Sequence, residues 1–321
     1  MKRTASLSLD LDNQWSYLKT HGDAGWEHHP SYLDVVVPRV LEMLDRLDLR
    51  ITFFVVGQDA ALESNHGALR LLVDAGHEIG NHSFHHEPWL HLYSEEEVHQ
   101  ELERSEEAIL AATGVRPDMF RGPGYSLSDT VLKVLAARGY RFDASTMPTY
   151  LGPLARAYYL RTAKLEGEER EQRAKLFGTW KDGLQPIKPY LWDLPQDQGE
   201  LLEIPVTTFP LFKFPFHLSY VLYLSTYTKA LASLYFRSAL RACRMARFGP
   251  SLLLHPLDFL SDEDVDGLDF FPGMRIPTAE KLLRVESYLR RYAEAFDVQP
   301  MGVYASGLTQ SPKSPLALRS R

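Results

Sequence analysis

The sequence predicts an α/β fold: a distorted (β/α) barrel of about seven parallel strands, elaborated by two loop and helix insertions. Three observations predict it. Short β-branched and aromatic runs alternate with amphipathic stretches of helical spacing as far as residue 145. The length of 321 residues suits one α/β barrel, and 45% hydrophobic residues can fill a sizeable core. Polar side chains also stand at the C-terminal ends of the apolar runs, where barrel enzymes place their chemistry.

Taken in order, Ser6-Leu-Ser-Leu-Asp-Leu-Asp-Asn13 alternates apolar and polar residues and reads as a first strand ending in two carboxylates. Because alternate side chains share a face, Asp10 and Asp12 point the same way. A loop follows from Gln14 to Ser31, rich in aromatic residues and histidine. Tyr32 to Leu47 has helical spacing, Ile51 to Val56 is a short apolar strand, and Ala60 to Ala75 is the next helix, ended by Gly76. His77 to Asn81 forms a third strand. Ser94-Glu-Glu-Glu97 has the capping-box spacing and opens a helix to Thr113, stopped by Gly114. Met119 to Tyr125 is a strand breaking into a rigid Gly-Pro-Gly turn, Ser128 to Arg138 is helical, and Tyr140 to Asp143 is a fifth strand.

The rhythm then breaks. Residues 146–199 form one insertion, with a charged helical stretch from Ala155 to Phe177. Leu201 to Pro205 resumes the strand pattern, and residues 206–249 form a second insertion. Ser251-Leu-Leu-Leu-His255 is a buried strand with a histidine at its end. Thr278 to Phe296 is a long amphipathic helix and Val298 to Tyr304 a last strand. Residues 1–305 thus form one domain, and the Ser-, Pro- and Arg-containing residues 306–321 a disordered tail.

A net charge of -7 argues against a nucleic-acid partner. The single cysteine, Cys243, cannot form an internal disulfide and reads as a packing residue in a helical run. Met-Lys-Arg-Thr passes directly into the first strand, leaving no apolar signal-peptide core, and no window reaches about 18 consecutive apolar residues. These features predict a cytoplasmic protein.

The chemistry centres on Glu78-Ile-Gly-Asn-His-Ser-Phe-His-His-Glu-Pro-Trp89, since six of the twelve histidines fall between His77 and His99. His82 and His86 are four apart and can face one point. Two imidazoles leave a tetrahedral ion needing another protein ligand, and the carboxylates of the first strand are candidates. One of them could bind the metal while the other takes a proton from water. With Arg121 and His255, these residues sit at predicted strand ends that converge on one mouth.

At this point the sequence resembles the polysaccharide deacetylase family, also called NodB-like or carbohydrate esterase family 4. Ser8-Leu-Asp-Leu-Asp12 looks like its first motif in an Asp-x-Asp form, His82-Ser-x-x-His86 its metal motif, Arg121-Gly-Pro-Gly its third and Leu254-His255-Pro256 its fifth. Ile51-Thr-Phe-Phe-Val-Val-Gly57 and Gly76-His-Glu-Ile-Gly-Asn-His82 are similar to the family too. The resemblance covers residues 4–145 and returns at 201–205 and 251–256. It implies a NodB-type barrel in which Asp12, His82 and His86 hold one divalent metal: zinc, with iron, cobalt or manganese accepted by the same ligands. It further implies Asp10 as general base for a metal-activated water, Arg121 as its charge partner, His255 as proton donor to the departing amine, and backbone N–H groups at Gly124 or Tyr125 as oxyanion donors. Asp143 would hold His255 protonated, as in some relatives. The fourth motif departs from the family, because Arg141-Phe-Asp-Ala-Ser145 lacks the usual tryptophan. The Asp-x-Asp form is similar to cytoplasmic branches that include lipid-linked sugar deformylases and cyclic-imide or allantoin hydrolases.

Other residues read more plainly. His77, His91 and His99 are surface or helix residues, and the family spacing favours His86 over His85 as ligand. Asp262-Glu-Asp-Val-Asp-Gly267 imitates the start of a calcium loop but fails at its twelfth position, Gly273, where a glutamate is required. The second insertion joins an aromatic segment, Phe209 to Leu224, to Arg237, Arg241, Arg244 and Arg247 along one helical face. That pairing suits either a peripheral membrane contact through residues 209–247 or an ordinary packing helix. The function expected is a metal-dependent hydrolase removing an acetyl or formyl group from an amino sugar, free or lipid-linked. A hydrolase of small non-sugar amides and a non-catalytic binding module are the alternatives.

Overall fold

A computed structural model describes residues 2–154, 157, 179–195, 199–309 and 316–319. Strands β1 (Thr4–Leu11), β2 (Thr52–Val55), β3 (Glu78–Asn81), β4 (Met119–Phe120), β5 (Phe142–Asp143), β6 (Tyr190–Trp192), β7 (Leu202–Glu203), β8 (Ser251–Leu254), β9 (Asp297–Gln299) and β10 (Leu318–Arg319) join one sheet. Its order is β10-β6-β7-β5-β4-β3-β2-β1-β8, with β9 on β1, and β6 against β7 is the one antiparallel pair among the described strands. The sheet curls into a half-barrel whose described strand order has two ends, β8 and β10, so the expected barrel is open.

Helices α1 (Gln14–His21), α2 (Leu33–Arg46), α3 (Gly57–Ala60), α4 (His66–Asp74), α5 (Glu95–Thr113), α6 (Asp129–Ala137), α7 (Leu218–Tyr227), α8 (Lys229–Met245), α9 (Thr278–Ala295) and α10 (Met301–Thr309) complete the described elements. Their packing follows from the sequence. Leu33, Val36, Val37, Val40 and Leu44 form one buried stripe of α2 at spacings of three and four. Ser94 and Glu97 make the reciprocal capping box that starts α5. The largest apolar cluster lies between β1, β2 and β8 and helices α2, α4, α7, α8 and α9; Cys243 is buried in it.

Several expectations need correction. The Gln14–Ser31 loop contains α1, which carries no regular apolar stripe; the Asn13 side chain accepts from the Gln14 N–H to start it, and buried Trp15 and Leu18 anchor it. The helix expected from Ala60 begins only at His66. Val298 to Tyr304 divides into β9 and α10, because Pro300 cannot extend a ladder and the first amides of α10 are captured elsewhere. Met301 N–H donates to Thr52 Oγ1 (2.8 Å) and Gly302 N–H to Glu78 Oε2 (2.8 Å), a carboxylate at a helix N-terminus. Ser306, expected to open a disordered tail, lies in α10, and Leu308 and Leu316 pack on the core before β10 joins β6. The charged stretch Ala155–Phe177 lies, apart from residue 157, outside the described residues.

One close approach fixes the strand that carries both aspartates. A Cβ on Gly249 would lie 1.7 Å from the Thr4 carbonyl oxygen of β1, a backbone atom that cannot step aside. Gly249→Ala is therefore expected to cost about 1–3 kcal/mol in urea unfolding; an unchanged midpoint would show that β1 and residue 249 can separate freely.

Candidate active site

Parallel register brings the chemistry to one edge. Asp10 and Asp12 come from the end of β1 and the residue after it; His82 follows β3, Arg121 follows β4 and His255 follows β8. Leu9 is level with Leu254 across β1 and β8, so the next pair along is Asp10 and His255, on the same face of the sheet.

Asp12 Oδ1 lies 3.0 Å from His86 Nε2 and 3.2 Å from His82 Nε2, and one ligand atom from each of the three residues falls within a 4.8 Å cluster. His82 Nδ1–H donates to the Arg121 carbonyl at 2.6 Å, which fixes the tautomer and turns the Nε2 lone pair toward Asp12. Burial opposes the charge on Asp12, but the two imidazoles outweigh it and hold the carboxyl well below its usual range. Burial likewise disfavours a charged His82, yet Asp10 and Asp12 prevail and raise it. The loop bearing the imidazoles is strained: Ser83 and His86 both have left-handed φ, 62° and 54°.

These residues fit a divalent cation. A buried carboxylate oxygen faced by two imidazole nitrogens, one pre-oriented by a backbone carbonyl, is the donor set that zinc and its neighbours accept. His86 Nδ1 has no partner among the described residues.

Arg121 is fully buried. Its Nη1 donates to Asp10 Oδ1 at 2.5 Å and Ser8 Oγ at 2.9 Å, its Nε to the Ala144 carbonyl at 3.0 Å, and its guanidinium sits 4.2 Å from the centre of the Phe54 ring. Asp10 Oδ2 stays turned toward His82 Nε2, 4.0 Å away.

The turn after β4 is set by Gly122, where a Cβ would strike the Ser126 carbonyl at 2.1 Å. Of the two oxyanion candidates, the Tyr125 N–H is committed to the Gly122 carbonyl (2.9 Å), whereas the Gly124 N–H makes no hydrogen bond among the described residues. The Tyr125 phenol is pushed up by burial and then by Asp10, placing the ring beside the carboxylates.

Asp143 does not meet His255. It is level with Glu203 on the adjacent strand, and Phe142, one residue earlier, points into the opposite layer with Phe54 and Met119. Its Oδ1 accepts from Ser145 Oγ (2.5 Å), which in turn accepts from the Gly122 N–H (2.8 Å), so Asp143 braces the Gly-Pro-Gly turn. Glu203 accepts from Thr146 and from Trp192 Nε1 (3.2 Å). Burial raises both carboxyls, Glu203 well above its usual range with the Asp143 charge adding. His255 Nδ1 instead meets Ser219 Oγ at 2.9 Å, and its backbone N–H donates to Asp258 Oδ2 at 2.9 Å.

His85 is turned away, its Nδ1 2.6 Å from Glu101 Oε2, which leaves His86 facing Asp12. His77, expected at the surface, is buried; its Nδ1 accepts from the Ile51 N–H, and burial pushes it down to about 4, so it is a neutral structural ring. The sequence reading missed the residues behind Asp12. The Tyr32 hydroxyl donates to the Asp12 carbonyl (2.6 Å), and the buried Tyr17 hydroxyl faces Asp12. Asp59, raised to about 7 chiefly by burial, accepts from Asn13 and from Trp15 Nε1 (2.7 and 2.9 Å), and the Trp15 ring lies edge-on to His86. Asn13 and Trp15 lie one and three residues after Asp12, and that proximity was the signal available.

A family model described as polysaccharide deacetylase matches residues 23–142, a span that holds His82, His86 and Arg121. The peptidoglycan deacetylase of Helicobacter pylori is 30% identical over 163 residues, 49% of this chain and 52% of that protein. Residues 23–142 are thus similar to the polysaccharide deacetylase family. The peptidoglycan-N-acetylmuramic acid deacetylase of Bacillus subtilis is 32% identical over 111 residues, 34% of the chain and 41% of the relative. The chain spans about half, or less, of the length of these curated relatives. A crystal structure assigned to the polysaccharide deacetylases, from Mycobacterium smegmatis, shares the fold: TM-score 0.65 at 21% identity, covering 99% of this chain and 94% of that one. Asp10, Asp12, Asp143 and His255 lie outside the span matched by the family model, so their placement rests on the structure.

Two expected outcomes follow from the buried charges. Arg121→Met strands the Asp10 carboxylate and should cost about 3–5 kcal/mol of unfolding free energy; a loss under about 1 kcal/mol would mean that Asp10 has another partner. Asp143 and Glu203 both keep protons in the folded chain above the unfolded value of about 4, so the folded state binds more protons in that window and stability falls as pH rises through it. Urea titrations of Asp143→Asn should accordingly show a flatter decline from about pH 4.5 to 7 than the unmodified chain. Parallel declines would exclude the pair as the source.

Proposed function

We propose that this chain is a metal-dependent hydrolase that removes an N-acyl group, acetyl or formyl, from an amino sugar of a glycan. The observation that carries the reading is the convergence, on one sheet face, of the Asp12, His82 and His86 cluster with Asp10 clamped by Arg121 and with His255 one strand away. The names of the relatives, which act on peptidoglycan, favour an N-acetylated saccharide.

Asp12, His82 and His86 would hold the cation, which supplies Lewis acidity to water and to the acyl oxygen. The residues of the chain do the rest. Arg121 occupies Asp10 Oδ1 and aims the carboxylate, leaving Oδ2 to take a proton from the attacking water. The Gly124 N–H is free to donate to the oxygen that gains charge as the acyl carbon becomes tetrahedral. As the C–N bond breaks, His255 delivers a proton from Nε2 to the nitrogen, and water has been divided between a carboxylate and an amine.

A lipid-linked form of the sugar is the finer reading, and one region favours it. Leu211, Phe212 and Phe214 are 77%, 61% and 42% exposed, and Arg237, Arg241 and Arg244 are exposed on α8 with exposed Arg247 just beyond its end, a combination suited to an anionic membrane face. Among the described residues no helix is long and apolar enough to cross a membrane, so the contact would be peripheral, at the cytoplasmic face.

The test measures bound metal together with acetate and formate release from N-acylated amino sugars, free, polymeric and polyprenyl-phosphate-linked. Asp12→Ala should lose metal and turnover together. Asp10→Asn should keep metal and lose about 10²–10⁴-fold in kcat. Release confined to the lipid-linked arm would favour the membrane reading. No release from any sugar, or release only from ureides and cyclic imides, would overturn the proposal.

A further inference from the structure

The second insertion does more than cover the barrel. Helix α7 follows a short aromatic turn and sends two side chains toward the end of β8. The His217 ring lies 6.0 Å from the His255 ring at 73°, and Ser219 Oγ, almost fully buried, sits 2.9 Å from His255 Nδ1. The Asp258 carboxyl closes the group: Oδ2 accepts from the backbone N–H of His255, and the Ser219 hydroxyl hydrogen bonds to the same carboxyl. His255 thus meets a hydroxyl where the family resemblance had placed Asp143, and that hydroxyl is backed by a carboxylate from the next turn of chain.

Resting on the proposed deacylation, we propose that Ser219 positions the proton-donating imidazole. Its hydroxyl accepts the His255 Nδ1–H and donates its own hydrogen to Asp258, so that Nε2 is the nitrogen presented to the departing amine. The hydroxyl can do both at once, having lone pairs and one proton. A neutral acceptor at Nδ1 fixes the ring's orientation and leaves the Nδ1 proton on nitrogen, where a carboxylate in direct contact would compete for it. His217 adds no competing charge, because burial and the nearby His255 push its ring down to about 3. The charged and titratable groups facing this arrangement are Asp10 from β1, His217 from α7 and Asp258 from the turn after β8. Tyr17 from α1 and Lys281 from α9 in turn face Asp258.

The experiment follows the His255 imidazole by ¹⁵N NMR across pH in the full chain, with its signal assigned by loss in His255→Gln, and measures deacylation kinetics alongside. In the unmodified chain, neutral His255 should carry its proton on Nδ1. Ser219→Ala should mix the tautomers and lower the His255 titration by about one pH unit, moving the basic limb of kcat by the same amount. Its kcat should fall about tenfold with KM within about twofold, whereas Ser219→Thr, which keeps a hydroxyl, should restore both tautomer and limb. Asp258→Asn should lower the titration in the same direction. An unaltered tautomer and titration in Ser219→Ala would overturn the proposal whether or not the enzyme turns over. Absence of turnover in the unmodified chain would instead strike the deacylation reading, and the spectra would still decide the role of Ser219.

Discussion

The contact on which the rest of this structure depends is the buried pair between Arg121 and Asp10. A fully enclosed guanidinium is costly to desolvate; its Nε and Nη1 are met, while Nη2 has no partner among the described residues. Here one side chain reaches Ser8 and Asp10 on β1, the Phe54 ring on β2 and the Ala144 carbonyl beyond β5, while the carbonyl of the same residue orients His82. Four segments of the half-barrel are thereby fixed relative to one another by one residue. The same atoms that satisfy Arg121 are those that hold the proposed base and one of the proposed metal ligands in place.

Around that pair the chain accepts local cost in return for geometry. Ser83 and His86 hold left-handed backbone angles, and Asp12 keeps a charge in a buried setting because two imidazoles face it. On the opposite face of the sheet, Asp143 and Glu203 stay close although burial raises both, and the benefit is passed through Ser145 to the Gly122 amide. The turn that presents Gly124 is thus braced from behind by a carboxyl that never reaches the cleft.

Much of this was legible in the sequence because it is local. The strand alternation of Ser6 to Asp12, the capping box at Ser94 and the four-residue interval between His82 and His86 each specify their geometry within a few residues. What failed was not local. Asp143 was given to His255 on family pattern, but alternation within β5 and register with β7 turn it toward Glu203. Helix α1 carries no apolar periodicity and depends on its cap and on docking. The start of α10 is dictated by Thr52 and Glu78, far away in the chain, which no window of sequence around Pro300 could show. The contribution of Ser219 was hidden for the same reason, since nothing in a Leu-Ser-Tyr segment announces a histidine 36 residues on.

The register of Leu9 with Leu254 has a bearing on how the molecule is made. Asp12, His82 and His86 all belong to the first third of the chain, and β1, β2 and β3 pair with one another without any later strand. During synthesis, which proceeds from the N-terminus, that portion leaves the ribosome long before β8 exists to dock beside β1. Closing so long a loop is entropically costly and comes late. The residues of the proposed cation site can therefore come together before the proposed proton donor arrives, and a nascent or C-terminally truncated chain would hold the first without the second.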